Sequence, residues 1–129
     1  MNPELARQKY LTYPLPKLVK LADKHFNAFI RTRDKDKGCV SCSSKKVEHA
    51  SHFYSAGNYK ALRYHEDNVH GSCAKCNTWL RGNLLEYRQS LKLRLGPARL
   101  EALENIAAYY KRTGYKVDRM ALIDIILKY

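Results

Sequence analysis

The chain has 129 residues and a mass of 15.0 kDa, enough for one modest hydrophobic core and too little for two. Apolar residues make up 45% of it and charged residues 28%, a folded composition that excludes a disordered basic tail. No run of 18 or more uncharged apolar residues occurs, and no apolar stretch follows a basic start, so neither a membrane span nor a signal peptide is expected and a cytoplasmic protein is. Lys and Arg number 24 against 12 Asp and Glu, giving +12. The excess is present in all three thirds of the chain, which suits a folded surface lying along a polyanion, with nucleic acid the first candidate and basicity for solubility the bland one.

In chain order, Pro3, Pro14 and Pro16 limit residues 1–16 to a short helical turn and a linker, an N-terminal extension of a single domain over 17–129. From Lys17, the residues Leu18, Leu21, Ala22, His25 and Phe29 recur at helical spacing, with His25 a packed or capping residue on the apolar face. The run Asp34–Gly38 ends this helix, with Gly38 free to take a positive φ. Residues 39–70 have no helical period, and two short strands are expected around Val47–Tyr54 and Leu62–Tyr64.

Helical spacing returns after Ser72 and is interrupted at Gly82-Asn83. It continues with Leu84, Tyr87, Leu91 and Leu95 on one face and Arg81, Arg88 and Lys92 on a basic one, a phosphate-contacting surface or an ordinary solvated one. Gly96-Pro97 separates this helix from the next, which runs to about Arg112 with Leu100, Leu103, Ile106, Ala107 and Tyr110 inward and Gly114 as cap. A final helix, Val117–Tyr129, is apolar almost all round, so it is either deeply buried or the contact of a homodimer.

All four cysteines fall into two pairs of one spacing, Cys39/Cys42 and Cys73/Cys76, with 30 residues between the pairs. Two C-x-x-C knuckles using every cysteine predict a tetrahedral four-thiolate Zn²⁺ site, closed to substrate and therefore structural. Disulfides and a redox pair are the competing readings. Between the knuckles sit four of the five histidines, His49, His52, His65 and His70.

The order of residues there is informative: a knuckle, VEHASHF (Val47–Phe53), a loop, EDNVHGSC (Glu66–Cys73), then AKCN (Ala74–Asn77) leading into a helix. This resembles the HNH, or ββα-metal, nucleases. The blocks DKDKGCVSC, HASHF, LRYHEDNVHGSCAKCN and GNLLEYR, with the lead-in ADKHFNAFIRTRD, further resemble the phage NinG/Rap recombination endonuclease family over roughly residues 17–105.

The resemblance implies an α+β fold: a zinc-braced ββα core over about 39–92, one helix before it, and two or three after, the C-terminal ones over about 97–129. It implies a phage-encoded endonuclease in a bacterial host, acting with recombination proteins on D-loops and Holliday-type junctions. Position by position, it makes His52 the general base, Asn68 the central Asn and Asn77 the helical ligand of a catalytic ion.

A neutral imidazole at His52 can take a proton from water at cellular pH, and one divalent ion can clamp the scissile phosphate. Asn68 would bond backbone or the His52 ring. An Asn oxygen favours Mg²⁺ or Mn²⁺ over a second zinc. Where other HNH enzymes carry an acidic or His ligand just before the base, this chain has Ser51, which leaves His49 as first candidate for the second ligand and His70 as the next. On a regular strand His49 and His52 point to opposite faces, so His49 can serve only with a bend or bulge. Arg63 and Lys75, with Arg81, Arg88 and Lys92, are the candidate DNA phosphate contacts.

Simpler roles compete. His65 and His70 can be loop residues on phosphate, Asn77 a helix cap and Asn68 a turn residue. The rival to an enzyme is a non-catalytic, zinc-stabilised DNA-binding recombination module, and a third reading is an RNA-binding zinc protein.

Overall fold

The computed structural model describes residues 2–81 and 83–129, and among these it has five α-helices and one two-stranded antiparallel sheet. Their order is α1 (Pro3–Leu11), α2 (Leu15–Asp34), β1 (His49–His52), β2 (Val69–Ser72), α3 (Leu84–Leu95), α4 (Pro97–Thr113) and α5 (Arg119–Lys128), an α+β arrangement. A 3₁₀ turn, Lys60–Leu62, lies between the strands, and a π-helical turn, Lys75–Trp79, follows β2.

The first turn of the chain is more regular than its prolines suggest. Asn2 caps α1 by accepting the Glu4 N–H at 2.8 Å, and Pro3 occupies a position where a missing N–H costs nothing. The result is a nine-residue helix rather than a short turn. In α2 the buried residues are Leu18, Ala22, Phe26, Ile30 and Asp34. The expected stripe through His25 and Phe29 is therefore off by one residue. Both are half-buried, and Phe26 goes inward instead, edge-on to Tyr64 and Tyr129 at 5.6 and 5.0 Å between ring centroids.

Helix α5 lays Leu122, Ile123 and Ile126 against Leu18 and Ala22 of α2, with Tyr10 and Tyr13 at the margin. The apolar C-terminal helix is thus covered within the chain, although Met120 and Leu127 keep part of their surface in solvent. On the other side, Tyr87 and Leu91 of α3 meet Leu100 of α4 and Val40, while Leu84, expected inward, is exposed. Leu62, Leu103 and Ala107 form a further small cluster.

β1 and β2 pair in register His49↔Ser72, Ala50↔Gly71, Ser51↔His70 and His52↔Val69. The second strand is therefore Val69–Ser72 and not Leu62–Tyr64, which carries the end of the 3₁₀ turn. Tertiary contacts select it. The Arg33 guanidinium donates to the Glu66 and Val69 carbonyls at 3.0 and 2.8 Å, and the buried Asp34 carboxylate accepts the Gly71 N–H at 2.8 Å. Gly71 is required by this close approach, since a Cβ there would lie 2.5 Å from a Val47 methyl and 3.0 Å from Asp34 Cβ.

The alternation of the strands sorts the site residues. Ala50, His52, Val69 and Gly71 lie on the side of α2, where Phe26 and Ile30 cover Val69 and Ala50. His49, Ser51, His70 and Ser72 lie on the other side.

Candidate functional site

The two knuckles come together as their spacing predicts. Sγ atoms of Cys39, Cys42, Cys73 and Cys76 all lie within 4.8 Å of one another, with Cys42 and Cys73 at 3.7 Å. Four ligands at ~2.3 Å around a tetrahedral zinc stand roughly 3.8 Å apart, so the cluster fits a metal ion such as zinc. Cys39, Cys73 and Cys76 are buried and Cys42 is at the surface.

The first knuckle is shaped by Gly38 at φ +77°, whose Cβ would lie 2.6 Å from the Ser44 carbonyl oxygen, and by Ser43 at φ +61°. Burial alone would push the Cys39 thiol up, but backbone N–H groups of Cys42, Cys73 and Ser41 outweigh it and bring it down to about 7. Cys76, buried beside the Cys42 and Cys73 sulfurs, is pushed up to about 12. Four thiolates gathered this closely repel one another and call for a cation between them.

Two of the expected residues, Asn77 and His49, come together on the segments that follow the two knuckles, with Ser51 beside them. On the turn after β2, Asn77 places its side-chain NH₂ 2.9 Å from His49 Nδ1, and its oxygen accepts the Ser51 hydroxyl at 2.9 Å. Asn77 is therefore knitted to β1 and is more than a helix cap. Its neighbour in sequence, Cys76, fixes the turn that carries it.

His52 leaves the strand on the opposite side. Its Nε2 lies 2.9 Å from the Arg63 carbonyl oxygen, an acceptor only, so Nε2 carries the proton and Nδ1 the lone pair. Burial, with the Arg63 cation nearby, holds the His52 imidazole below its ordinary value and hence neutral at pH 7. The ladder runs unbroken through this strand, so no bulge turns His49 and His52 to one face.

Asn68 is fully buried and does not touch the His52 ring. Its oxygen accepts the Tyr54 N–H at 2.8 Å and its NH₂ donates to the Tyr54 and Leu62 carbonyls at 3.0 Å each. It thereby pins the loop one residue from the carbonyl that holds His52.

His70 is corrected from loop or ligand to core. It is 3% exposed, and its Nδ1 lies 3.2 Å from the Tyr87 hydroxyl. That hydroxyl has one proton, which goes to the Ser51 carbonyl at 2.6 Å, so His70 must donate from Nδ1. Burial first, then the Arg33 charge, lowers its pKa to about 3.

The basic residues separate into committed and free. Arg63 makes a two-pronged ion pair with Asp23 at 2.9 and 2.6 Å, and Arg88 pairs with Glu104 at 2.9 Å, so neither is a free phosphate contact. Lys75, Arg81 and Lys92 are exposed and have no ion pair among the described residues. Arg81 precedes α3, at φ +51°, and does not share a helical face with Arg88 and Lys92. The expected interruption at Gly82-Asn83 is seen at Asn83, φ +48°, while Gly82 lies outside the described residues.

Sequence reasoning missed Arg33 and Asp34, and it placed Tyr87 in the core without the role of its hydroxyl. Asp34 reads as part of a solvated charge run, and only its position at the end of a buried stripe, four residues after Ile30, hints otherwise.

No described helix is long and apolar enough to cross a membrane. No solved structure matches the chain. It is similar to proteins named ninG from several phages: 32% identical over 122 residues to that of Escherichia phage lambda, covering 93% of this chain and 58% of the relative. Similarity to the ninG protein of Salmonella phage P22 is 35% over 104 residues, 79% of this chain and 51% of the relative. That of Escherichia phage 933W is 33% identical over 122 residues, 93% and 59% respectively. The chain thus spans a little over half the length of these relatives. The family model described as Bacteriophage Lambda NinG protein matches residues 4–129, and the chain belongs to the NinG family.

Proposed function

We propose that this protein is a divalent-metal-dependent DNA endonuclease of the HNH, or ββα-metal, type, with a structural zinc on the four cysteines and branched recombination intermediates as substrates. The observation that carries this reading is the contact of Asn77 with His49. It ties the turn after β2 to β1, the strand that carries His52 on its other face, in the strand–loop–strand–helix order of that nuclease type.

Asn77 and His49 are the residues that would hold a catalytic ion. The Asn77 NH₂ donates to His49 Nδ1 at 2.9 Å while Asn77 Oδ1, the atom that would ligate, accepts the Ser51 hydroxyl, so an ion would take the places of both hydrogen bonds. When bound, Mg²⁺ or Mn²⁺ supplies positive charge for the scissile phosphate and the departing oxygen.

His52 takes the proton of the attacking water at Nδ1, the nitrogen left with a lone pair by the Nε2 contact to Arg63. Asn68 acts as a positioning residue, holding the loop that supplies the Arg63 carbonyl. Because His49 and His52 leave opposite faces of β1, the substrate phosphate has to cross the edge of β1 that faces away from β2. Lys75, Arg81 and Lys92 are the cations available to flanking phosphates.

That same separation favours a second reading, a zinc-stabilised module that binds DNA without cutting it. Cleavage of end-labelled four-way junction, D-loop, linear duplex and single strand, with and without Mg²⁺ or Mn²⁺, distinguishes the two. Metal-dependent cutting of branched DNA is expected, with His52→Ala losing about 10²–10⁴-fold in rate while still binding. Binding without cutting under every metal would establish the module instead, and near wild-type cutting by His52→Ala would remove His52 as the base.

A further inference from the structure

Trp79 is the sole tryptophan of the chain and stands 81% exposed at the end of the π-helical turn. Single exposed leucines are ordinary surface, but an indole left in water forgoes one of the largest burial gains available to any side chain. Leu80 next to it in sequence and Leu84, five residues on, are also exposed, at 46% and 48%. Lys75 lies one turn before Trp79 on the same side, and Arg81 follows it in a left-handed conformation. Asn77, two residues earlier, leaves the turn on the opposite side toward His49.

An apolar, aromatic surface bracketed by unpaired cations is poorly suited to a second copy of itself, because the same charges would meet across the contact. It suits a partner that offers a flat aromatic face between two anions. We propose that Trp79 stacks on an unstacked nucleobase of branched or locally opened DNA, with Lys75 and Arg81 on the phosphates to either side. Intact duplex offers no such face except at its ends, whereas junctions, gaps and single strands do. Trp79 is then a positioning residue, which selects substrates with unstacked bases and does not touch the reacting phosphate. The inference rests on the nucleic-acid reading of the chain, but not on cleavage.

Trp79 reports on itself, since all tryptophan fluorescence comes from it. The zinc-loaded full chain is titrated, without added Mg²⁺, with a four-way junction, a gapped duplex and an intact duplex of equal length. Strong quenching by the first two and weak quenching by the third is expected. Trp79→Ala should bind junction and gapped DNA roughly tenfold or more weakly, with less than about a twofold change on intact duplex, and Trp79→Phe should recover most of the loss.

Equal quenching by all three DNAs, or a Trp79→Ala variant that binds the junction like wild type, would overturn the inference and leave the nuclease reading standing. Quenching as expected without cutting under any metal would overturn the nuclease reading alone. A blue-shifted emission that rises with protein concentration, and a dimer in sedimentation without DNA, would replace the nucleobase with a second copy of the chain.

Discussion

The helical layer of α1, α2 and α5 and the central segment from Cys39 to Asn77 are held together by different means. The layer coheres through apolar burial: Leu18, Ala22, Leu122, Ile123 and Ile126 pack with no polar partner needed, and such contacts tolerate small displacements. The central segment buries Ser41, Ser51, Asn68, His70 and Ser72 beside its cysteines, and its only described sheet has four residues per strand. Its cohesion depends on directional bonds, on Asp23 and the Arg33–Asp34 pair reaching in from α2, and on the cysteine cluster. Directional bonds fix atoms more sharply than oil does, and the candidate chemistry sits in the region built that way.

The largest break in this comparison should come from the metal. If the four cysteines hold zinc, removing it with a chelator should cost about 10 kcal/mol of local folding energy, and Cys76→Ser should weaken the same region. Hydrogen exchange would then show β1 and β2 unprotected while α2 and α5 stay protected. Protection of both regions after stripping would mean that the thiolates are not what holds the segment.

Next in size is Asp34→Ala, which strands Arg33 and the Gly71 N–H and should cost about 3 kcal/mol in denaturant titration. The contrast sharpens with pH. His70 has a folded pKa of about 3, below its unfolded value, so the folded state resists its protonation. The stability it contributes is complete above about pH 6.5 and is lost as pH falls toward 3. Roughly 2 kcal/mol should disappear between pH 7 and pH 5, and His70→Gln should flatten that slope. Arg88→Ala, breaking an exposed pair with Glu104, should change stability by less than about 0.5 kcal/mol.

How much of this was legible in the sequence follows the same division. The cysteine cluster was readable because a metal site is written as spacing, and the helices because burial is written as periodicity. The first helix was obscured by reading Pro3 as a breaker when, behind Asn2, it is a start. The second strand was misplaced because Leu62–Tyr64 has strand-like composition, whereas Val69–Ser72 is chosen by Arg33 and Asp34 from a distant helix. The roles of Arg63, Arg88 and His70 depend on which partner the fold brings to each, and local sequence is silent on partners that lie 40, 16 and 17 residues away. His49 and Asn77 were legible as a pair; the opposed direction of His52 followed from strand alternation alone.

The Tyr87 hydroxyl has a consequence beyond its bonds. A buried network of groups that can each donate or accept usually has two or more proton arrangements of similar energy, and the molecule wanders among them. Here the Ser51 carbonyl can only receive, Tyr87 has a single proton to give, and His70 must therefore give its own. The carbonyls within reach of the Tyr87 proton, Ser51 at 2.6 Å and Asn68 at 3.4 Å, can only accept, so His70 is the donor to the phenol in either case. The strand that carries His49 and His52 is thus anchored on a network in which the direction of the His70–Tyr87 bond is fixed, and the interior beneath the candidate site is orientationally ordered as well as closely packed.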